Sequence, residues 1–338
     1  MTTITISKEN KVTKMISSEV FEPNTWLQAL PNNIRHLMEH NLKFYLQDIE
    51  EIRMRIERPL LIRMGLKEVT VDPDRKLTND YGRGYLVRRE DIEQGMEILS
   101  QSSLYAWEDE LKNGYLTIPG GHRVGIVGKG VLDKGRIKTL KEISGLNYRI
   151  GREVPGCADK LLPSLINEGR IYNTLIISPP QCGKTTLLRD VVRQLSDGIP
   201  RMHFSGVNVG LVDERSEIAG MYQGQPQFLI GLRTDVLDAC PKAQGMMMLI
   251  RSMSPRVVAT DEIGREEDIE ALYQALQAGV NVITTVHGHS LKELQERPVL
   301  KELLRWGYFE RLVFLSRRRG VGTIEAVWDG KTLERMSS

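Results

Sequence analysis

The chain reads as α/β, with a mostly parallel, helix-covered sheet in its C-terminal half and a smaller α+β domain before it. Three observations predict this. From Tyr172 onward, apolar β-type runs alternate with helix-compatible stretches, the pattern of a parallel sheet covered by helices. One run ends in a turn-rich loop closed by Gly183-Lys184-Thr185-Thr186, the strand–loop–helix context that a phosphate-binding loop requires. Other runs end in carboxylates or histidines, at the strand ends where such sheets bind ligands.

Residues 1–24 are polar and read as a flexible tail. Residues 25–152 make the α+β domain. Leu27, Leu30, Ile34, Leu37, Met38 and Leu42 keep helical spacing, and Pro31 with Asn32 starts the stronger helix there. Ile52, Met54 and Ile56, then Leu60, Leu61 and Ile62, give two short strands around Pro59; 67–71 is another. Residues 89–111 are mostly helical with a break near 100–103, and Ile92, Met96, Leu99 and Leu104 mark the buried face. Residues 115–118 and 122–127 flank Pro119-Gly120-Gly121 as strand, turn and strand, and 145–150 is a further strand. His122 beside Arg123 reads equally as a phosphate contact or as an exposed turn pair.

Residues 153–170 read as a hinge and 171–338 as the second domain. Its strands are expected at 172–178, 207–213, 256–261, 281–286, 311–315 and 323–328. Its helices are expected at 184–195, 243–253, 266–278 and 291–304. Met246, Met247 and Met248 fall at helical spacing and read as core packing.

Ser178, Pro179, Pro180, Gln181, Cys182, Gly183, Lys184, Thr185 and Thr186 form the candidate phosphate loop. Its backbone N–H groups would wrap a β-phosphate, helped by the positive end of the helix dipole. Lys184 would reach the β- and γ-phosphates, and the Thr185 hydroxyl would be an Mg²⁺ ligand. Ser178 stands where the pattern G-x-x-x-x-G-K-[ST] has its first glycine. That glycine eases the turn off the strand, so the phosphate-contacting end is unaffected. A chance Gly-Lys-Thr beside a strand is the plain alternative.

Val257-Val258-Ala259-Thr260 is an apolar, β-branched run that delivers Asp261 and Glu262. Asp261 suits the Mg²⁺ shell through water, and Glu262 is placed to orient or deprotonate an attacking water. Alone, the pair also reads as a strand running into the acidic helix start Arg265-Glu266-Glu267-Asp268. A second strand ends in Asp213, Glu214 and Glu217, and a third in Thr284, Thr285, His287 and His289. Thr285 or His287 reads as a γ-phosphate sensor; a strand-end histidine bonded to a loop is the simpler account. No third histidine or cysteine lies near His287 and His289 in sequence, which argues against zinc.

The 338 residues, 41% hydrophobic and 27% charged, suit a globular chain of two domains. Lys+Arg 46 against Asp+Glu 44, with 6% aromatics, gives no electrostatic case for nucleic acid. Arg317-Arg318-Arg319 reads as a solvated strand end. Cys157, Cys182 and Cys240 lack metal or disulfide spacing, which fits a reducing interior. Neither a signal peptide nor an apolar run of about 18 residues is visible. The expectation is a cytoplasmic protein without a transmembrane segment of its own.

The C-terminal half resembles the type II/type IV secretion ATPase superfamily. That family carries a phosphate loop, an Asp box, a Walker B strand and a His box in this order, matched here by 178–186, 212–218, 256–264 and 284–289. The loop variant and Val212-Asp213-Glu214-Arg215-Ser216-Glu217-Ile218 are similar to its sporulation branch in endospore formers, with likeness from about residue 34 to residue 328. The resemblance implies a RecA-like P-loop NTPase domain and a homo-oligomer, a hexameric ring. It implies docking on the cytoplasmic face of a membrane complex, on the mother-cell side of a channel to the forespore. ATP and Mg²⁺ would be bound; Glu262, Lys184, Glu214 or Glu217, and His287 would form the catalytic shell. Arg149, Arg152, Arg215 and Arg233 are the candidates for an arginine acting from another domain or subunit. A nucleotide-gated scaffold with little turnover and a nucleic-acid-dependent RecA-like motor are the rival readings; a small-molecule kinase lacks any marked acceptor pocket.

Overall fold

A computed structural model describes residues 24–72, 76–100 and 114–336. The expected tail at 1–23 and the helical segment at 101–111 lie outside the described residues. The chain divides into two compact units, one running to Gly151 and the other beginning at Arg152.

The first unit has helices α1 (Asn32–Asn41) and α2 (Arg89–Ser100). Its strands are β1 (Glu51–Arg55), β2 (Leu61–Met64), β3 (Lys67–Val71), β4 (Leu77–Thr78), β5 (Tyr115–Ile118), β6 (His122–Asp133) and β7 (Arg136–Arg149). They form one antiparallel sheet in the order β4-β3-β2-β1-β7-β6-β5. Alternation selects the core: Ile52 and Met54 turn inward while Arg53 and Arg55 turn out. They pack with Trp26, Ile34, Met38, Leu42, Val124 and Tyr148. The buried Tyr148 hydroxyl donates to the Ala29 carbonyl at 3.0 Å, which satisfies a polar atom inside this core.

Two expectations need correction here. The strands at 122–127 and 145–150 are the inner ends of one long hairpin, β6–β7, turned at Lys134 and Gly135, both at positive φ. Its outer half is exposed and largely charged, so it carries no burial alternation to read. His122 is not an exposed turn residue: it is buried, its Nδ1 accepting from the Gly151 N–H at 3.1 Å.

The second unit holds α3 (Leu162–Leu165), β8 (Ile166–Asn167), β9 (Arg170–Ile171), β10 (Thr174–Ser178), α4 (Lys184–Asp197), β11 (Val209–Asp213) and β12 (Thr234–Asp238). Then come α5 (Lys242–Met253), β13 (Val257–Glu262), α6 (Glu266–Gln277), β14 (Asn281–His287), α7 (Leu291–Glu296), α8 (Pro298–Arg305), β15 (Arg311–Ser316) and β16 (Thr323–Asp329). The main sheet runs β12-β11-β13-β14-β10-β15-β16, parallel except for the β15–β16 hairpin. Its central strands are buried on both faces, as a helix-covered parallel sheet demands. Ile176, Leu211, Ala259 and Ile283 face α4 residues Leu188, Val191 and Leu195 on one side. Leu175, Ile177, Val212, Val258 and Val282 face Met246, Leu249, Leu272 and Leu303 on the other.

The edge strand β12 was not expected, because its residues are all half-buried and show no alternation. The single helix expected at 291–304 is two: Pro298 caps a new start after Arg297, which is extended. Of the three methionines taken as core, Met246 is buried but Met248 is 61% exposed, because the buried stripe of α5 runs through Lys242, Gly245, Met246 and Leu249.

Burial lowers the His122 pKa to about 4 from its ordinary value. An unfolded chain therefore takes up a proton near pH 6.5 that the folded unit refuses until about pH 4. Stability from this site is complete above pH 6.5 and falls as the pH drops toward 4. Urea unfolding at stepped pH should show that slope for the wild type, flattened in His122→Gln.

Candidate active site

β10 ends at Ser178, whose partner across the parallel register is His287, the last residue of β14. The chain then turns through Gln181 and Gly183, both at positive φ, before α4 begins at Lys184. Glycine is required at 183 for two reasons. Its φ is +86°, and a Cβ there would come within 2.9 Å of Val321 Cγ1 and 3.1 Å of the Gly322 nitrogen. Those atoms belong to the β15–β16 turn, where the Gly322 N–H also donates to the Cys182 carbonyl at 2.9 Å. The arginine triplet 317–319 is exposed on this same turn, so the expected solvated strand end also abuts the phosphate loop.

Lys184 is 8% exposed. Its Nζ lies 2.6 Å from His287 Nδ1 and 3.5 Å from the Ser178 carbonyl. An ammonium only donates, so Nδ1 accepts and the ring proton sits on Nε2. That nitrogen reaches Glu262 Oε2 at 3.1 Å. Lysine, histidine and glutamate thus form one continuous chain from the loop to β13. Burial lowers the Lys184 pKa, with Glu262, Cys182 and Glu217 working against the shift.

β13 delivers its two carboxylates through an irregularity. The register with β14 slips between Thr260 and Glu262, leaving Asp261 as the extra residue. Consecutive side chains of a regular strand face opposite ways, and a bulge re-aims them at the strand end. Here Glu262 meets His287 on the β14 side, while Asp261 Oδ1 lies 3.3 Å from Lys242 Nζ on the other. The Thr284 hydroxyl fixes the bulge by donating to the Asp261 carbonyl at 2.9 Å. Burial pushes the Asp261 carboxyl up to about 6; Lys242 opposes this, and Asp213 and Glu217 reinforce it.

Glu214 and Lys242 are hydrogen-bonded. Asp213, next to Glu214, plays a different part: its carboxylate accepts from the N–H groups of Glu217, Ile218 and Ala219 at 2.8–2.9 Å. It folds the loop after β11 and is fully buried. Arg189 of α4 grips the same loop, donating to the carbonyls of Glu217 and Ile218 at 2.6 Å each. Its guanidinium lies 3.9 Å from the Phe228 ring centre.

The structure therefore brings together Ser178, Lys184, Asp261, Glu262 and His287, with Glu214 joined through Lys242. His289 is exposed, its backbone N–H donating to Glu293, and stands apart. Among the arginine candidates, Arg233 already donates to the Ser196 carbonyl at 2.7 Å near the end of α4. Sequence reading missed Lys242 and Arg189. The signal for Lys242 was its place in the first turn of a helix, where the dipole disfavours a cation. Arg189 gave none beyond lying beside the buried stripe of α4.

The donor set fits Mg²⁺ at Asp261. Its Oδ1 is buried and has no hydrogen-bond partner among the described residues, as does Thr260 Oγ1, so the carboxylate retains lone pairs for a metal-bound water. Among the described residues no group of three metal-ligating side chains is assembled.

The loop from Ser178 to Thr186, between the carboxyl end of β10 and α4 on a sheet of this strand order, defines the fold: a RecA-like P-loop domain. Residues 23–335 match the model of the family described as Sporulation stage III, protein AA, and the chain belongs to that family. The Stage III sporulation protein AA of Bacillus subtilis (strain 168) is 45% identical over 315 residues, 92% of this chain and 97% of the relative. The Legionella pneumophila ATPase DotB shares the fold with a TM-score of 0.55 at 15% identity, over 84% of this chain and 76% of its own. The pilus retraction motor PilT, solved with bound ADP, does so at 0.50 and 12% identity, over 82% and 77%. No described helix is long and apolar enough to cross a membrane.

Asp213→Ala would leave three N–H groups unpaired, two of them buried, at a cost of about 1–3 kcal/mol for each buried one before relaxation. The expected result is a lower Tm and faster amide exchange confined first to 217–219.

Proposed function

We propose that this chain is an Mg²⁺-dependent ATPase that acts as a homo-oligomeric, hexameric ring. It would dock on the cytoplasmic face of a membrane complex and energise a secretion-like channel between mother cell and forespore. The observation that carries the ATPase reading is the unbroken path Lys184–His287–Glu262, which links the phosphate loop to a carboxylate at the end of β13. Family membership supports the sporulation setting.

In this reading the loop N–H groups and the α4 amino end hold the phosphates. Lys184 leaves His287 Nδ1 to neutralise charge on the β- and γ-oxygens. Glu262, half-exposed, orients the attacking water and takes its proton. His287 reports whether Lys184 is occupied by phosphate, because the ring nitrogen that lysine vacates is free to find another donor. Mg²⁺, bound through Asp261 and the Thr185 hydroxyl, would supply charge neutralisation at the phosphates. Glu214 anchors Lys242 beside Asp261.

Lys184→Ala should abolish productive nucleotide binding. Glu262→Gln should bind ATP normally yet slow hydrolysis by about 10²–10⁴-fold. Steady-state turnover across a protein concentration series tests both: specific activity should climb with concentration and vanish in Glu262→Gln. Wild-type turnover by that variant would remove Glu262 from the chemistry. A flat background despite measured ATP binding would favour a nucleotide-gated scaffold.

A further inference from the structure

Lys242 is a lysine that everything local disfavours. It is the first residue of α5, where the helix dipole repels a cation. It is also 8% exposed, and burial works against its charge. Its Nζ is nevertheless hydrogen-bonded to Glu214 and ion-paired with Asp261. A cation kept charged in such a place is held by its partners, and those partners here are two carboxylates of the candidate site.

The two contacts are unequal. Lys242 is hydrogen-bonded to Glu214. Toward Asp261 the hold is looser: Nζ forms an ion pair with Oδ1 at 3.3 Å. Asp213 and Glu217 add negative charge around Asp261. The lysine therefore supplies positive charge where carboxylates crowd, and its looser hold is on a carboxylate oxygen that retains open lone pairs.

We propose that Lys242 is an internal counter-cation of Asp261 and Glu214 that yields its contact with Asp261 to an incoming divalent ion while remaining anchored on Glu214. This rests on the reading of Asp261 as part of the Mg²⁺ shell. Lysine and metal then compete for one carboxylate, so the charge that stabilises the metal-free site also sets how tightly the ion is taken up. Lys242 is a positioning residue in this scheme and touches neither phosphate nor water.

The test is Mn²⁺ binding to the full-length protein with saturating ADP, read from the electron paramagnetic resonance signal of free Mn²⁺. Lys242→Met removes the competitor and should tighten Mn²⁺ binding by about fivefold or more, as expected for losing a partly screened ion pair. Lys242→Arg, which keeps the charge, should restore wild-type affinity. Lys242→Gln retains a donor for Glu214 and should tighten binding in the same direction, which covers the case in which the methionine variant fails to fold. The rise in Tm on adding Mn²⁺ should be larger in both neutral variants than in wild type. Equal or weaker Mn²⁺ affinity in the neutral variants, with normal uptake by wild type, would overturn the counter-cation role alone. No Mn²⁺ uptake by wild type with ADP bound would overturn the role of Asp261, and the ATPase reading with it.

Discussion

Lys184 carries a positive charge at the amino end of a helix, beneath the protein surface, and the second unit is arranged around tolerating it. Desolvation and the helix dipole both oppose an ammonium in that position. The Ser178 carbonyl and the imidazole of His287 accept its protons, and both sit at strand ends that the parallel register brings side by side. Glu262 adds a compensating charge through the other face of the same imidazole. Remove the register and none of these groups would meet. The sheet is thus a device for bringing residues from distant parts of the chain to one edge, and the charge they share is what an anionic ligand would satisfy.

A second polar cluster lies on the other flank of β13, and the bulge at Asp261 separates the two. One extra residue lets neighbouring carboxylates serve different partners: Glu262 faces the lysine of the loop, and Asp261 faces the lysine of α5. The two clusters are not independent in charge, since Glu217 acts on both Lys184 and Asp261. Asp213 and Arg189 hold the loop that carries Glu217. These are structural contributions, yet they fix the electrostatic balance in which Lys184 and Asp261 sit.

Much of this was legible in the sequence because it depends on local pattern. Apolar runs, a Gly-Lys-Thr at a strand end and paired carboxylates after a β-branched stretch are short-range signals, and the fold and the family follow them. What escaped depends on three-dimensional placement. The outer half of β6–β7 is solvated on both faces, so alternation is lost though pairing is not. β12 is half-buried throughout and looks like loop. Lys242 resembles any surface lysine until α5 lies against β11 and turns it inward. His122 seemed a turn residue because burial is invisible next to Gly120 and Gly121. For Lys242 and His122 the rule that fails is the equation of polarity with exposure.

The turn between β15 and β16 lies against the phosphate loop, with Gly322 bonded to Cys182 and Val321 beside Gly183. These partners are far apart in the chain, and the brace is made after the loop it supports. A polypeptide emerging from the ribosome exposes Lys184 and its glycine long before the last hairpin exists to shape them. The order of synthesis thus leaves the segment from Ser178 to Thr186 without this brace until nearly the whole second unit is present. A proteolytic clip at this turn would undo the same support in the mature protein without touching any residue of the loop itself.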